Sequence, residues 1–192
     1  VWPITNKRGT IDWPEGKDAL ASRVFTTREL DSQSGVLTLD IFRHEGGPTS
    51  DWAESDPVGQ EVGLMGPGGG AGPKSSPDDH VLIGGDETAI PAILRGLENL
   101  PQGCEATVVL LARNETDLQR VPDALNVEWL FRDDGKSEED LVRAITVHTQ
   151  LGRQLSGLWF AASQSAARSV RSHARDVLRL PRQNTVSAAY WS

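Results

Sequence analysis

From His80 onward the chain alternates strand-length apolar runs with helix-length amphipathic ones, and this rhythm restricts the fold more than any other feature. Residues 80–84, 106–112, 127–131 and 157–162 read as strands, with a last one at 185–191. The stretches 88–100, 138–151 and 164–178 between them read as helices. In the first of these, Ile90, Ile93, Leu94, Leu97 and Leu100 recur at helical spacing. Pro91 falls in its first turn, where a missing N–H costs little. Strands and helices that alternate at this length build a parallel sheet. Residues 78–192 are therefore expected to form an α/β domain.

The first 77 residues have another texture, with short alternating segments and no helix longer than two turns. In residues 36–43, Leu37, Leu39 and Ile41 share one face and Thr38, Asp40 and Phe42 the other, which is a strand pattern. Residues 22–27 and 61–65 read as further strands. An antiparallel sheet or barrel is expected over residues 1–77, joined to the second domain by the glycine- and proline-rich run 66–76. No internal repeat is visible.

Composition removes several classes of function. The longest apolar stretch, Ala106 to Ala112 broken by Thr107, is far short of the ~20 residues that span a bilayer, so no membrane span is expected. Cys104 is the only cysteine, which excludes an internal disulfide and a cysteine-based zinc site and suits a reducing compartment. A cytoplasmic protein is expected, since nothing at the start resembles a signal peptide. The net charge of −8 argues against nucleic acid as the main partner. Residues 163–192 depart from this balance, with five arginines against the single acid Asp176. The only methionine is Met65 and the chain opens on Val1, so residues are expected upstream.

Several chemistries lack their motifs. Residues 68–75 mimic a P-loop, but Pro73 interrupts the approach to Lys74-Ser75. His44, His80, His148 and His173 have no metal-ligand spacing, and there is no GxSxG elbow. The pairs Asp78-Asp79 and Asp133-Asp134 read as solvated loops.

Three segments do carry chemistry. Arg23-Val-Phe-Thr-Thr-Arg28 sets a guanidinium beside an aromatic ring and hydroxyls, the set that a planar, phosphorylated cofactor requires, although an ordinary strand has the same composition. His44-Glu-Gly-Gly-Pro-Thr-Ser-Asp-Trp-Ala53 could present backbone N–H groups and a hydroxyl at the start of a short helix, or could be a turn capped by Ser50. Gly84-Gly-Asp-Glu-Thr-Ala-Ile-Pro91 lies between an expected strand and helix, where a βα unit takes the phosphates of a dinucleotide. It is not a GxGxxG, because Asp86 and Ala89 occupy the later glycine positions.

In this order the three segments resemble the siderophore-interacting proteins, flavin-dependent ferric-siderophore reductases of the ferredoxin-reductase-like superfamily. That family's RxYTxR, H..GPxSxWA and GDETAxPAI motifs and terminal YW pair read here RVFTTR, HEGGPTSDWA, GDETAIPAI and Tyr190-Trp191. The resemblance covers essentially the whole chain. It implies a FAD-binding β-barrel over residues 1–77 and a NAD(P)H-binding α/β domain over 78–192. Arg23, Phe25 and Thr26 would contact the flavin end of FAD. His44 and the turn Gly47, Pro48, Thr49 and Ser50, with Trp52 behind it, would hold ribose and pyrophosphate. Tyr190 or Trp191 would cover the flavin and be displaced when nicotinamide docks. Gly85, Asp86, Glu87, Thr88 and Ala89 would face NADPH or NADH. The implied reaction passes a hydride to flavin, then single electrons to Fe(III) in a siderophore substrate, which releases Fe(II). No catalytic acid or nucleophile is needed and no resident metal is implied; a monomer is expected.

The chain departs from the family pattern in places. Phe25 replaces a tyrosine, the family's AGE after the fourth α/β strand reads Ala161-Ala162-Ser163, and family members begin several strands earlier, so the barrel is expected to lack its first strands. These departures keep open a second reading, a truncated or divergent module that binds FAD, a siderophore or a partner protein without turnover. At the end of the second α/β strand Arg113 could accept a 2′-phosphate, which favours NADPH, or could be a solvent-facing arginine. Arg168, Arg171, Arg175 and Arg179 recur along one face of the last helix, opposite Ala167, Val170, Ala174, Val177 and Leu178. That stripe is either a steering surface for an anionic ferric siderophore or a solvated helix face.

Overall fold

The computed structural model describes residues 3–16, 19–20, 22–66, 68, 75–122, 125–151 and 154–192. The chain divides into two compact units, one from Val1–Phe25 and Ile41–Gly69, the other from Thr26–Asp40 and Gly70–Ser192. Most of the P-loop-like stretch 68–75 and of the linker 66–76 lies outside the described residues.

The second unit is built on a five-stranded sheet with strands in the order β7-β6-β5-β8-β9. In chain order these are β5 (His80–Gly85), β6 (Glu105–Ala112), β7 (Asn126–Phe131), β8 (Gly157–Ser163) and β9 (Thr185–Trp191), all parallel to their neighbours. The helices are α2 (Ile90–Glu98), α3 (Glu138–Gln150) and α4 (Gln164–Asp176). Alternate strand residues face opposite layers, as the pleat requires. Val81, Ile83, Val108 and Leu110 pack with Ile90, Ile93, Leu94 and Leu97 of α2. On the other face Leu82, Val109, Leu111 and Phe160 pack with Leu141 and Ile145 of α3 and Val170 of α4. Helices on both faces leave β5, β6 and β8 buried almost throughout, which is why their sequences read as unbroken apolar runs.

Helix starts follow local chemistry. Ser137 caps α3 in a reciprocal box with Asp140, and Ser163 caps α4 by accepting from the Ala166 amide. The last helix ends two residues short of the expected 178, at Asp176. Arg179 lies beyond it with φ of +53°, and Val177 is 64% exposed rather than packed. The four-arginine face is thus three residues long. Among the described residues no helix is long and apolar enough to cross a membrane.

The antiparallel strands form two separate ribbons rather than a closed barrel among the described residues. One pairs β1 (Ile4–Thr5) with β2 (Ile11–Asp12), the other β3 (Thr27–Asp31) with β4 (Val36–Leu39). Three expected strands change. Residues 22–26 are irregular and β3 starts only at Thr27, residues 40–43 leave β4, and 61–65 form no strand. The β3–β4 ladder ends at Thr27↔Leu39, and among the described residues no strand is there for the flanking residues to pair with. A core to organise them is also missing, for Gly47 and Ser50 alone are buried among the described residues of the first unit. The β3–β4 ribbon belongs to the second unit. Arg95 of α2 donates to the Thr27 carbonyl at 2.8 Å, and Arg28 forms a forked pair with Glu98.

Candidate functional site

The carboxyl ends of β5, β6 and β8 meet where open α/β sheets bind ligands. Gly84 and Gly85 close β5 there. A Cβ at Gly85 would lie 2.7 Å from the Ala161 carbonyl and from Ala89 Cβ, so only glycine lets the loop and α2 settle against β8. Asp86, wholly buried, follows: its amide donates to the Ala161 carbonyl at 3.3 Å. Oδ1 accepts from the amide and hydroxyl of Thr88, at 3.0 and 2.6 Å, and Oδ2 accepts from the Trp191 indole N–H at 2.7 Å. Burial pushes the Asp86 carboxyl up from its ordinary range; these hydrogen bonds oppose that, and the nearby Glu138 charge adds to it.

Glu87, also nearly buried, takes a forked pair from Arg132 at the end of β7, with distances of 2.7 and 3.0 Å. That hydrogen bond raises the guanidinium pKa above its usual value. Glu138, in the first turn of α3, accepts from the Ser163 hydroxyl at 2.6 Å and from its amide at 3.3 Å. Glu138 and Ser163 thereby tie the starts of α3 and α4 together. Position along the sequence makes Arg132 the next cation after Arg113 for a 2′-phosphate, whereas no sequence motif points to Glu138. The Ser137–Asp140 capping box was the available signal, since it fixes where α3 begins and so puts Glu138 at the edge of the sheet.

Tyr190, beside Trp191, hydrogen-bonds Thr26, and burial raises its phenol pKa. Arg113 stands at the end of β6 with its side chain 74% exposed and a loose 3.8 Å contact to Asp133. On α4 two of the three arginines are occupied: Arg171 donates to the Ser187 carbonyl, and Arg175 is forked on Asp176. Arg168 is exposed.

The first unit carries the other candidates. Among the described residues the Arg23 guanidinium donates only to the neighbouring Ser22 carbonyl, and Phe25 is 36% exposed. Gly47, not Ser50, caps helix α1 (Pro48–Glu54). The Ser50 hydroxyl is turned inward, accepting from the His44 amide at 3.1 Å. A Cβ at Gly47 would fall 2.7 Å from the His44 ring, so glycine is what lets the imidazole lie over the turn. Pro48 has no N–H, which leaves the amides of Thr49 and Ser50 ahead of the first helical bond, Asp51 N–H to Gly47. The Trp52 indole is held by Gln60 at 2.9 Å. The Arg23 guanidinium, the two leading amides and the partly exposed Phe25 ring are of the kinds that a phosphorylated, ring-bearing cofactor such as FAD requires, so the residues present fit that group.

Known proteins are similar to this chain in sequence and in fold. Residues 78–192 match the family model described as siderophore-interacting protein, and residues 1–71 match the siderophore-interacting FAD-binding domain. A ferric vibriobactin reductase, ViuB of Vibrio cholerae, is 30% identical over 185 residues, which cover 94% of this chain and 67% of that protein. The chain thus spans about two thirds of that relative's length. The fold is shared with a siderophore-interacting protein of Acinetobacter baumannii, with a TM-score of 0.80 at 24% identity over 93% of this chain and 71% of that one. A siderophore utilization protein from T. fusca gives 0.78 at 24% identity, over 98% and 77%. With both family models matched in chain order and a relative aligned across nearly the whole sequence, the chain belongs to the siderophore-interacting protein family.

Proposed function

We propose that this chain works as a NAD(P)H-dependent flavin reductase of ferric siderophores, releasing iron as Fe(II). The observation that carries the reading is the Gly84–Pro91 segment. It stands at the carboxyl edge of a parallel sheet, in one chain with a match to a FAD-binding domain. The redox chemistry, two electrons taken from a reduced nicotinamide and delivered singly to siderophore-bound Fe(III), is what FAD supplies when bound. The chain's own part is to bind and orient.

In this reading Arg23 and the amides of Thr49 and Ser50 hold the phosphates, Phe25 and Thr26 meet the flavin ring, and His44, Gly47, Pro48 and Trp52 shape the turn. Tyr190 and Trp191 are the further aromatic rings this reading assigns to the flavin. Gly85, Glu87, Thr88 and Ala89 form the floor for the coenzyme. Arg113 is the cation offered to a 2′-phosphate, because Arg132 is committed to Glu87. NADPH is therefore favoured over NADH. Arg168 is the one of the three α4 arginines for which no side-chain bond is found among the described residues, so steering of an anionic substrate would fall to it.

The visible spectrum of the purified protein tests this. A yellow protein that NADPH bleaches and a ferric siderophore restores is the expected result. A colourless protein that takes up no FAD would overturn the enzyme reading in favour of a binding module without turnover.

A further inference from the structure

The Asp86 carboxylate has its oxygens turned inward. One serves the amide and hydroxyl of Thr88, the other serves the Trp191 indole at 2.7 Å, and the residue has no exposed surface. What faces outward at this loop is the ring that Asp86 holds, for Trp191 is 44% exposed. The bond spans the sheet: Trp191 closes β9, Asp86 follows β5, and β8 lies between them. A register shift accompanies it. Ala162 pairs with Ala189, yet Ser163 pairs with Trp191, so Tyr190 is skipped at the point where the indole crosses. The end of β8 beneath the crossing is Ala161-Ala162-Ser163, all small.

We infer that Asp86 is a positioning residue that fastens Trp191 across the carboxyl edge of the sheet, so that the fastened indole restricts entry of a reduced nicotinamide ring to the loop at residues 85–89. This rests on the reading above, that the loop takes the coenzyme. A coenzyme that requires the released indole binds with an affinity reduced by the fraction of molecules in which the indole is free. Asparagine at position 86 breaks the tether at nearly constant volume. Its single carbonyl oxygen goes to the two Thr88 donors, and its NH2 then meets the indole N–H, donor against donor. Trp191→Phe removes the N–H from the other side and keeps a ring.

The test uses the full chain in four forms: unaltered, Asp86→Asn, Trp191→Phe and the double variant. NADPH and NADH affinities are measured by calorimetry without ferric substrate. The surroundings of Trp191 are read by subtracting emission spectra, Trp191→Phe from the unaltered chain and the double variant from Asp86→Asn. Each single variant is expected to bind coenzyme about tenfold more tightly and the double variant no more tightly still, as removal of one shared, charge-assisted bond requires. The Trp191 emission should move to the red in Asp86→Asn. Unchanged affinity in Trp191→Phe, or effects that add in the double variant, would overturn the inference, and Trp191→Phe decides alone if Asp86→Asn fails to fold. Normal coenzyme binding without tightening overturns this inference only; no coenzyme binding by any form overturns the functional reading with it.

Discussion

Gly85→Ala is the substitution whose outcome the packing determines most directly. The added methyl would meet the Ala161 carbonyl oxygen and Ala89 Cβ at 2.7 Å and Ile93 Cδ1 at 2.9 Å. Ordinary carbon contacts lie about 3.5–4.0 Å apart, so all three neighbours must retreat. Ile93 can rotate away. The Ala161 carbonyl cannot, because it belongs to β8, which is paired with β5 and β9, and it accepts the Asp86 amide. Overpacking a core costs roughly 1–3 kcal/mol, and a backbone obstacle between central strands places this case at about 3 kcal/mol. At roughly 2–4 °C per kcal/mol for a domain of this size, the midpoint should fall by about 6–12 °C. Gly84→Ala should cost less, since its nearest obstacle is Ile145 Cδ1, the far end of a flexible side chain, at 2.5 Å. Gly96→Ala, inside α2 with nothing within 4 Å, should instead stabilise by about 0.5–1 kcal/mol. Thermal and urea unfolding followed by far-UV circular dichroism gives the ranking. If Gly85→Ala melts with the parent protein, the close approach of β5, β8 and α2 is wrong.

Other perturbations reach candidate residues in both units. Arg23→Ala should weaken FAD by a charge-assisted contact worth about 1.5–3 kcal/mol, seen as flavin lost on gel filtration; stoichiometric flavin in the variant would refute the placement. Arg113→Ala should lower the NADPH-to-NADH preference in steady-state kinetics, and an unchanged ratio would remove Arg113 from the coenzyme site. Replacing Arg171 and Arg175 with Gln should leave the ferric-siderophore reduction rate and its salt slope as they were, because both guanidinium groups already have internal partners; a flattened slope would show that they steer the substrate. Hydrogen bonds from the Ser137 amide and hydroxyl hold the Asp140 carboxyl below its ordinary value of 3.8. Its contribution to stability is therefore complete above that pH and is lost as acid titrates the folded-state group. Urea midpoints of Asp140→Asn and the parent should differ at neutral pH and converge in acid; a constant difference would count against the capping box.

The α/β half was legible because β5, β6 and β8 are buried on both faces and each helix on one, so burial writes itself into local sequence. Strand β9 matches the expected 185–191, and β5, β6, β7 and β8 differ from expectation by a residue at one end. The first half was less so. Whether residues 22–26 or 61–65 pair depends on strands elsewhere, and alternation alone carries no record of a partner. The same distinction holds at the site. The turn after β5 announces itself through glycine spacing, whereas the bonds Trp191–Asp86 and Ser163–Glu138 join segments remote in sequence and leave no local trace. The arginine stripe shows the converse. Helical spacing describes a face, and the sequence places Asp176 next to Arg175, but neither reveals a carbonyl of β9 within reach of Arg171.

The strand order has a consequence for how this unit is made. β5 is flanked by β6 and β8, but two helices and two strands of chain are synthesised between β5 and β8. A nascent chain that has assembled β5, β6 and β7 therefore waits with the far edge of β5 bare, and that edge carries Val81, Leu82, Ile83 and two glycines with every ladder group unmet on one side. Until residues 157–163 emerge, a strand that the finished sheet buries almost throughout is also the most available one for pairing with another chain. Slow translation through α3 would lengthen that interval, so the yield of soluble protein should respond to codon choice between residues 132 and 163 more than to codon choice after them.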